Sequence, residues 1–177
     1  DIMVSAYYHF LFHNESNLPY GVEKRRRHLN FKDFDDIRSN LPRFIEYLFQ
    51  EFPKSGWSTR FNWAQFVDSW WGKPAAIVRY EDLLNDTAAT LGTVLFQLTG
   101  KEFALQRLAE VAEKFSFARM TGRKPGEEKK NTFARKGIAG DWRNHFSQSA
   151  KETFLHFGGK QLIKLGYEVD NQWAAGE

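Results

Sequence analysis

The segment from Arg135 to Trp142 has the residue types of a site that binds an anion. It reads Arg-Lys-Gly-Ile-Ala-Gly-Asp-Trp, so two adjacent cations precede two glycines. Glycine lets the backbone approach a ligand closely and turn successive N–H groups toward it. Arginine offers a planar fork of donors to phosphate oxygens, and lysine adds a mobile point charge. From residue chemistry alone we interpret the segment as a binding site for an anion such as phosphate; the alternative is a solvated basic turn before a helix.

Two further side chains are placed to contact such a ligand. Ser5 lies in the first turn of a helix predicted to start at Asp1, and the N–H groups of a helix N-terminus attract phosphate. The alternative for Ser5 is a capping or solvated serine. Tyr80 ends an apolar run from Ala75 that predicts a buried strand, and open α/β sheets bind ligands beyond the carboxyl ends of their strands. We therefore expect Tyr80 to contact the ligand through its ring or its hydroxyl.

Three other stretches resemble binding sites in residue type but lack the required context. The run from Phe52 to Thr59 contains Pro-Lys-Ser-Gly, yet a predicted helix precedes it and only one glycine can shape the turn, so we interpret it as a linker. His9 and His13 share a helix face, but no third ligand is suitably spaced, and the sequence predicts no metal site. The basic run Lys24–His28 is interpreted either as a solvated face or as an electropositive entrance for an anionic substrate.

The composition is that of one globular domain. The 177 residues carry 25 basic and 22 acidic side chains, a net charge of +3, and 42% of them are hydrophobic. This balance excludes a general nucleic-acid binder, while a pI of about 9.1 suits an anionic ligand bound locally. The absence of cysteine excludes disulfides and thiolate metal sites. No apolar run reaches the roughly 18 residues of a membrane span, and no signal peptide is recognised. We therefore expect a cytoplasmic protein. Asn14-Glu15-Ser16 fits a glycosylation sequon but has no secretory context.

Helical periodicity dominates the predicted secondary structure. The only convincing strand is Ala75–Tyr80, and the Gly/Lys/Glu-rich residues 121–134 predict a mobile loop that leads into the anion-binding segment. Residues 14–30 are polar and are predicted as a loop. The first predicted helices are 1–13 and one that opens at Asn40-Leu41-Pro42, and a Trp-rich helix over 63–71 is expected to bury its aromatic face in the core. Two more are predicted at 87–99, between a cap at Asp86 and a stop at Gly100, and at 104–114. The final helix is predicted to start near Ser147 or Ser149, with a possible capping box of Ser149 and Glu152, and to end at Gly166.

The order of these segments resembles the soluble sulfotransferase family. The signature RKGxxGDW at 135–142 follows Tyr80-Glu81-Asp82-Leu83 and precedes a helix that ends in Leu165-Gly166-Tyr167. The resemblance implies transfer of a sulfuryl group from 3′-phosphoadenylyl sulfate (PAPS) to a hydroxyl or amine of a small molecule, lipid or glycan. It also implies an α/β fold of the P-loop-nucleotide-kinase-like sulfotransferase type, truncated at the N-terminus, helix-rich and with few remaining parallel strands. We expect residues 1–177 to be one fragment of such a domain.

The resemblance carries over a cofactor site residue by residue. Segment 135–137 and Ser5 are implied to hold the 3′-phosphate of PAPS or of its product adenosine 3′,5′-bisphosphate. Tyr80 and the Ser116-Phe117 pair are implied to lie near the adenine, although Phe115 stands where the family often has threonine. The implied cofactor-binding residues are Ser5, Tyr80, Ser116, Phe117, Arg135, Lys136 and Gly137.

The resemblance implies that no catalytic residue lies in this sequence. In family order, the 5′-phosphosulfate loop with its catalytic lysine and the histidine that takes the acceptor proton both precede Asp1, and Lys54-Ser55-Gly56 copies that loop at the wrong place. The family scheme needs no metal. We hypothesise that residues 1–177 alone cannot catalyse sulfuryl transfer. The family's KxxxTVxxxE dimerisation segment is altered at 143–152, which predicts a monomer or a different dimer.

Two functions of other classes remain open from the residues themselves. One is a non-catalytic domain that binds a nucleotide or a phosphorylated ligand through the same segment. The other is an interaction module that uses the basic surface of Lys24–Arg27.

Overall fold

The computed structural model describes residues 1–13, 19–56, 60–73 and 76–175, and these ranges form two compact units. The first unit is Asp1–Gly72 together with Asp141–Glu177, and the second unit is Lys73–Gly140. The sequon at 14–16, the end of the Pro-Lys-Ser-Gly stretch (57–59) and Ala75 lie outside the described residues. The helices are α1 (Ile2–Leu11), α2 (Pro19–Leu29), α3 (Ile37–Glu46), α4 (Trp63–Trp70), α5 (Tyr80–Asn85), α6 (Thr87–Thr99), α7 (Leu105–Lys114), α8 (Phe117–Thr121) and α9 (Gln148–Lys164).

The core of the first unit is built around α1 and is rich in aromatic side chains. Tyr7 is fully buried and meets the edge of Phe44 at a centroid distance of 5.0 Å. Phe49 stacks on Phe157 of α9 at 5.1 Å. The first contact joins α1 to α3, and the second joins the π-helix Tyr47–Glu51, which follows α3, to α9. All four elements contribute to one apolar cluster, because each buries one face against its neighbours. Its fully buried large side chains are Tyr7, Phe44, Leu11, Leu41, Ile45 and Val4.

The two chain segments of the first unit are tied together at Asp1. Its carboxylate makes no cap to α1; instead Oδ1 accepts a hydrogen bond of 2.9 Å from the backbone N–H of Trp142. Asp141, only 2% exposed, accepts from Asn144 Nδ2 at 3.1 Å and lies 3.3 Å from His145 Nε2. The Asp141-Trp142 pair is therefore part of the structural core of this unit.

The second unit contains α5 to α8, and its helix ends match the sequence signals. Asp86 caps α6 by accepting from the backbone N–H of Ala89 at 2.9 Å, and Gly100 ends the helix in the left-handed conformation, as predicted. α7 spans Leu105–Lys114, close to the predicted bounds, and Leu108 is its buried residue. A Cβ on Gly92 would lie 3.2 Å from Leu108 Cδ1, so α6 and α7 approach closely at this point.

The predicted α/β fold with parallel strands is wrong, because none of the described residues forms a β-strand. Residues 76–79 have no regular structure, and Tyr80 begins α5 instead of ending a strand. Ile77 is 60% exposed and Val78 is 36% exposed. A strand is stable only when its backbone groups pair with a neighbouring strand, and the apolar run alone could not establish such a partner.

Three helix predictions are also corrected. α2 was not predicted, because its polar composition hides its periodicity. α3 begins at Ile37 after an Asp36 cap, so Pro42 lies inside the helix and not in its first turn. α9 is capped by Ser147, whose Oγ accepts from the backbone N–H of Ala150 at 3.3 Å, so the predicted start near Ser147 is confirmed and the capping box of Ser149 and Glu152 is wrong.

The aromatic face predicted for α4 is only partly buried. Trp63 packs on Phe154 at 5.5 Å, but Phe66, Trp70 and Trp71 are 45%, 52% and 44% exposed. A helix that packs on one neighbour cannot bury so wide a stripe.

Within the described ranges, no helix has both the length and the apolar character needed to cross a membrane.

Tyr7 gives the first unit a defined sensitivity to alkaline pH. Burial raises the pKa of Tyr7 to about 12, outweighing the hydrogen bond from Asn40, and its hydroxyl donates to the Phe34 carbonyl at 2.9 Å. Since the folded pKa exceeds the unfolded value near 10, the stability is present below pH ~10 and lost as pH rises toward ~12. We expect the free energy of unfolding to fall by roughly 2–3 kcal/mol more in the wild type than in Tyr7→Phe over this window.

The measurement is chemical denaturation of both chains at a series of pH values between about 9 and 12. Tyr167→Phe is the control, since Tyr167 is 40% exposed and its replacement should leave the pH dependence unchanged. Parallel curves for the wild type and Tyr7→Phe would contradict the assignment.

Candidate functional site

Gly137 is in close contact with the Phe117 ring. Its φ of +65° is a conformation that side chains with a Cβ rarely adopt. A Cβ built at Gly137 would lie 2.6 Å from Cγ and 2.8 Å from Cε2 of Phe117, closer than carbon atoms can approach. The segment thus requires glycine both for its backbone conformation and for the ring above it. Phe117 and Gly137 are 20 residues apart in the sequence, and the structure brings these two predicted site residues into contact within the second unit.

Arg135 forms an ion pair with an acidic side chain that the sequence pattern does not single out. Its side chain is only 10% exposed, and Nη1 forms an ion pair with Oε1 of Glu128, which is 30% exposed. A carboxylate offers the guanidinium the same kind of oxygen acceptors as a phosphate does. The guanidinium of Arg135 is therefore paired with a carboxylate oxygen in the structure.

The loop before the segment is hydrogen-bonded to it. The backbone N–H of Gly126 donates to the Lys136 carbonyl at 2.8 Å, and the N–H of Lys129 donates to the Arg135 carbonyl at 3.0 Å. Residues 121–134 therefore contact the backbone that they precede. Their mobility stays a prediction.

The other predicted site residues have the following places. Ser116 caps α8, its Oγ accepting from the backbone N–H of Arg119 at 3.3 Å. Tyr80 opens α5 and is 46% exposed; partial burial, followed by the negative charge of Glu81, raises its pKa. Ser5 is an exposed residue of α1 in the first unit, whereas the other six lie in the second unit.

The basic run of α2 is not a uniform solvated face. The Cζ atom of Arg25 lies 4.6 Å from the ring centroid of Phe10, and that of Arg26 lies 4.2 Å from Phe34. Cation–π contacts of this kind orient these two side chains on the core of the first unit. Lys24 and Arg27 are exposed. No group of three histidine, aspartate or glutamate side chains in the described part of the chain could hold a metal ion.

Two residues with clear structural roles at the site were missed. Glu128 binds Arg135, and the guanidinium of Arg123 donates to the backbone on both sides of the loop. Both lie in a stretch whose Gly/Lys/Glu composition indicated only a solvated loop. The one available signal was an acid within reach of a basic segment, and spacing along a loop does not establish such a contact.

The chain is similar to sulfotransferases over most of its length. The profile of the sulfotransferase domain family matches residues 1–166. Sulfotransferase 1E1 of Cavia porcellus is 28% identical over 129 residues, which are 65% of this chain and 42% of that protein. Sulfotransferase 1E1 of Rattus norvegicus is 25% identical over 87% of this chain and 48% of its own length. Sulfotransferase 2A1 of Macaca fascicularis is 28% identical over 61% of this chain and 42% of its own length.

These alignments cover less than half of each of the three relatives. No solved structure gives a significant match.

The contact between Gly137 and Phe117 predicts a specific pattern of stability changes. Gly137→Ala should destabilise the chain by roughly 1–2 kcal/mol for the left-handed backbone and by about 1–3 kcal/mol more for the clash with the ring. Gly122→Ala is the matched control, because its φ is +70° and nothing lies within 4 Å of an added Cβ. It should show the backbone cost alone.

Denaturation of the single variants and of the double variant Gly137→Ala/Phe117→Ala measures the contact directly. The double variant should lose less than the sum of the single losses, since removing the ring makes room for the methyl group. Additive losses would mean that the ring does not restrict position 137.

Proposed function

The chain belongs to the sulfotransferase family, and we propose that it binds PAPS and serves the transfer of its sulfuryl group to a hydroxyl or amine acceptor. The observation that carries this proposal is the close packing of Gly137 under Phe117, next to the anion-paired guanidinium of Arg135. A backbone conformation that favours glycine, an aromatic ring and a largely buried cation suit a ligand that combines phosphate with a base.

Each residue of this group has a chemical role in the proposal. Arg135 and Lys136 would neutralise the 3′-phosphate, and the backbone N–H of Gly137 would donate to one of its oxygens. Phe117 would pack near the adenine, with Tyr80 and Ser116 as further contacts. PAPS, when bound, supplies an activated sulfuryl group. Binding at its far end would fix the orientation of the donor, which lowers the entropic part of the barrier.

The acceptor is proposed only as a class, the hydroxyl or amine of a small molecule, lipid or glycan. Oligomeric state stays a prediction of a monomer or a non-standard dimer. The competing function is a domain that binds the nucleotide without catalysing transfer. It differs in its readout, because it predicts binding of adenosine 3′,5′-bisphosphate without sulfation of any acceptor by the complete protein.

Removing the Arg135 guanidinium tests the phosphate assignment. Arg135→Ala should weaken binding of adenosine 3′,5′-bisphosphate by roughly 1.5–3 kcal/mol, the usual range for a hydrogen bond to a charged group. Adenosine 5′-monophosphate lacks the 3′-phosphate, and its affinity should hardly change. Isothermal titration calorimetry gives both values. Arg119→Ala is the control, since Arg119 is an exposed arginine of the same unit that pairs with Glu113. An unchanged bisphosphate affinity in Arg135→Ala would show that the site is misassigned.

Glu128 should compete with the phosphate for Arg135. Glu128→Gln removes a negative charge from the guanidinium, so we expect bisphosphate affinity to rise about threefold to tenfold, corresponding to about 1 kcal/mol. The gain should shrink at high salt, because screening weakens the repulsion that the substitution removes.

Glu127→Gln is the matched control for this prediction. Its carboxylate accepts from the backbone N–H of Lys124 at 3.1 Å, a bond that glutamine can also accept. Titration of both variants at two ionic strengths makes the comparison. A lower affinity in Glu128→Gln would mean that the carboxylate holds Arg135 in its binding orientation and does not compete.

A further inference from the structure

Arg123 lies two residues after α8 and binds backbone on both sides of the loop that leads into segment 135–137. Nη1 donates to the carbonyl of Glu127 at 2.7 Å and to the carbonyl of Arg135 at 2.8 Å. Nη2 donates to the carbonyl of Ala134 and, at 3.5 Å, to Oγ1 of Thr132. One guanidinium thus donates hydrogen bonds to three backbone carbonyls, those of Glu127, Ala134 and Arg135.

The same arginine is also attached to the α8 end of the site. Its Cζ lies 5.0 Å from the ring centroid of Phe117, the ring that contacts Gly137. Its backbone N–H donates to Oγ1 of Thr121 at 3.1 Å, and that hydroxyl donates to the Phe117 carbonyl at 2.7 Å. Arg123 therefore contacts both parts of the candidate site, the ring and the cationic segment.

The bonded carbonyls determine where the following N–H groups point. In a planar trans peptide, the C=O of one residue and the N–H of the next point in opposite directions. The Ala134 and Arg135 carbonyls are held toward Arg123, and the Lys136 carbonyl is held by the N–H of Gly126. The N–H groups of residues 135–137 are consequently oriented away from these donors.

We propose that Arg123 is a positioning residue that orients the backbone N–H groups of segment 135–137 toward the 3′-phosphate. This inference rests on the proposed function, because it takes that phosphate as the ligand. The side chain acts through geometry. A planar fork can bind several carbonyls at fixed angles while its face packs on an aromatic ring, whereas the point charge of lysine cannot do both.

The comparison of arginine with lysine tests the proposal, since Arg123→Lys keeps the charge and loses the fork. Titration of the full chain should give a bisphosphate affinity about tenfold to hundredfold lower, as for two or three lost hydrogen bonds. The affinity for adenosine 5′-monophosphate should stay within about twofold. Arg119→Lys, a matched change at an exposed arginine whose Nε donates to Glu113, should alter neither value.

A second measurement begins with the wild type, so its first result is obtained whether or not a variant folds. Amide hydrogen exchange at Gly126 and Lys129, whose N–H groups donate to the segment, should slow when adenosine 3′,5′-bisphosphate is added. In Arg123→Lys the same amides should exchange about tenfold faster than in the wild type, in proportion to the loss of these supporting bonds. Unchanged exchange on addition of the ligand would overturn the proposal.

The outcomes separate this inference from the proposed function. If Arg123→Lys retains the wild-type affinity for the bisphosphate, the positioning role is wrong and the proposed function stands. If it loses both nucleotides equally and melts earlier, Arg123 has a merely structural role and the proposal is again overturned. If the wild type binds the bisphosphate no better than the monophosphate, the proposed 3′-phosphate site fails and this inference fails with it.

Discussion

In the first unit, whose apolar core packs around α1, the hydrogen bond between the Asp1 carboxylate and the Trp142 N–H is one polar contact that links the two chain segments. It joins residues 141 positions apart and brings the chain segment after Gly140 onto α1. Asp141 beside it is buried with Asn144 and His145 as partners, so the acidic residue of the signature is a structural group. The signature at 135–142 thus has two physical parts: its first six residues belong to the second unit and carry the cations, and its last two belong to the core of the first unit.

Sequence patterns predicted those parts of the fold that depend on local interactions. The Asp86 cap and the Gly100 stop of α6 are settled within one turn of helix, and both are present. The strand at Ala75–Tyr80 could not be established in this way, since a strand depends on a partner elsewhere in the chain. The exposed side of α4 was mispredicted for a similar reason, because periodicity shows which face is apolar but not what covers it. The few apolar residues of α2, such as Leu29, are too sparse to show a helical period in the sequence.

The candidate site shows the same division between local and distant information. Gly137 could be selected because glycine beside cations is an informative residue type, whereas Phe117 was selected through the resemblance to sulfotransferases. Arg123 and Glu128 could not, since their roles arise only when the loop folds back on the Ala134–Lys136 backbone. In the sequence their charged side chains indicate only a solvated loop, whereas in the structure they are specific hydrogen-bond donors and acceptors.

The composition of the second unit explains why hydrogen bonds contribute more than apolar burial to the order of residues 121–137. Among its described residues, Leu108 is the only buried hydrophobic one, whereas the first unit has an extended apolar core. With so little apolar area removed from water, the hydrophobic contribution to the order of residues 121–137 is small. The order comes from the Arg123 fork, the ion pair of Arg135 with Glu128 and the backbone bonds to Lys136, each worth about 1 kcal/mol. A ligand that binds only the ordered segment adds its binding free energy to this small total, so ligand binding and segment order are thermodynamically linked.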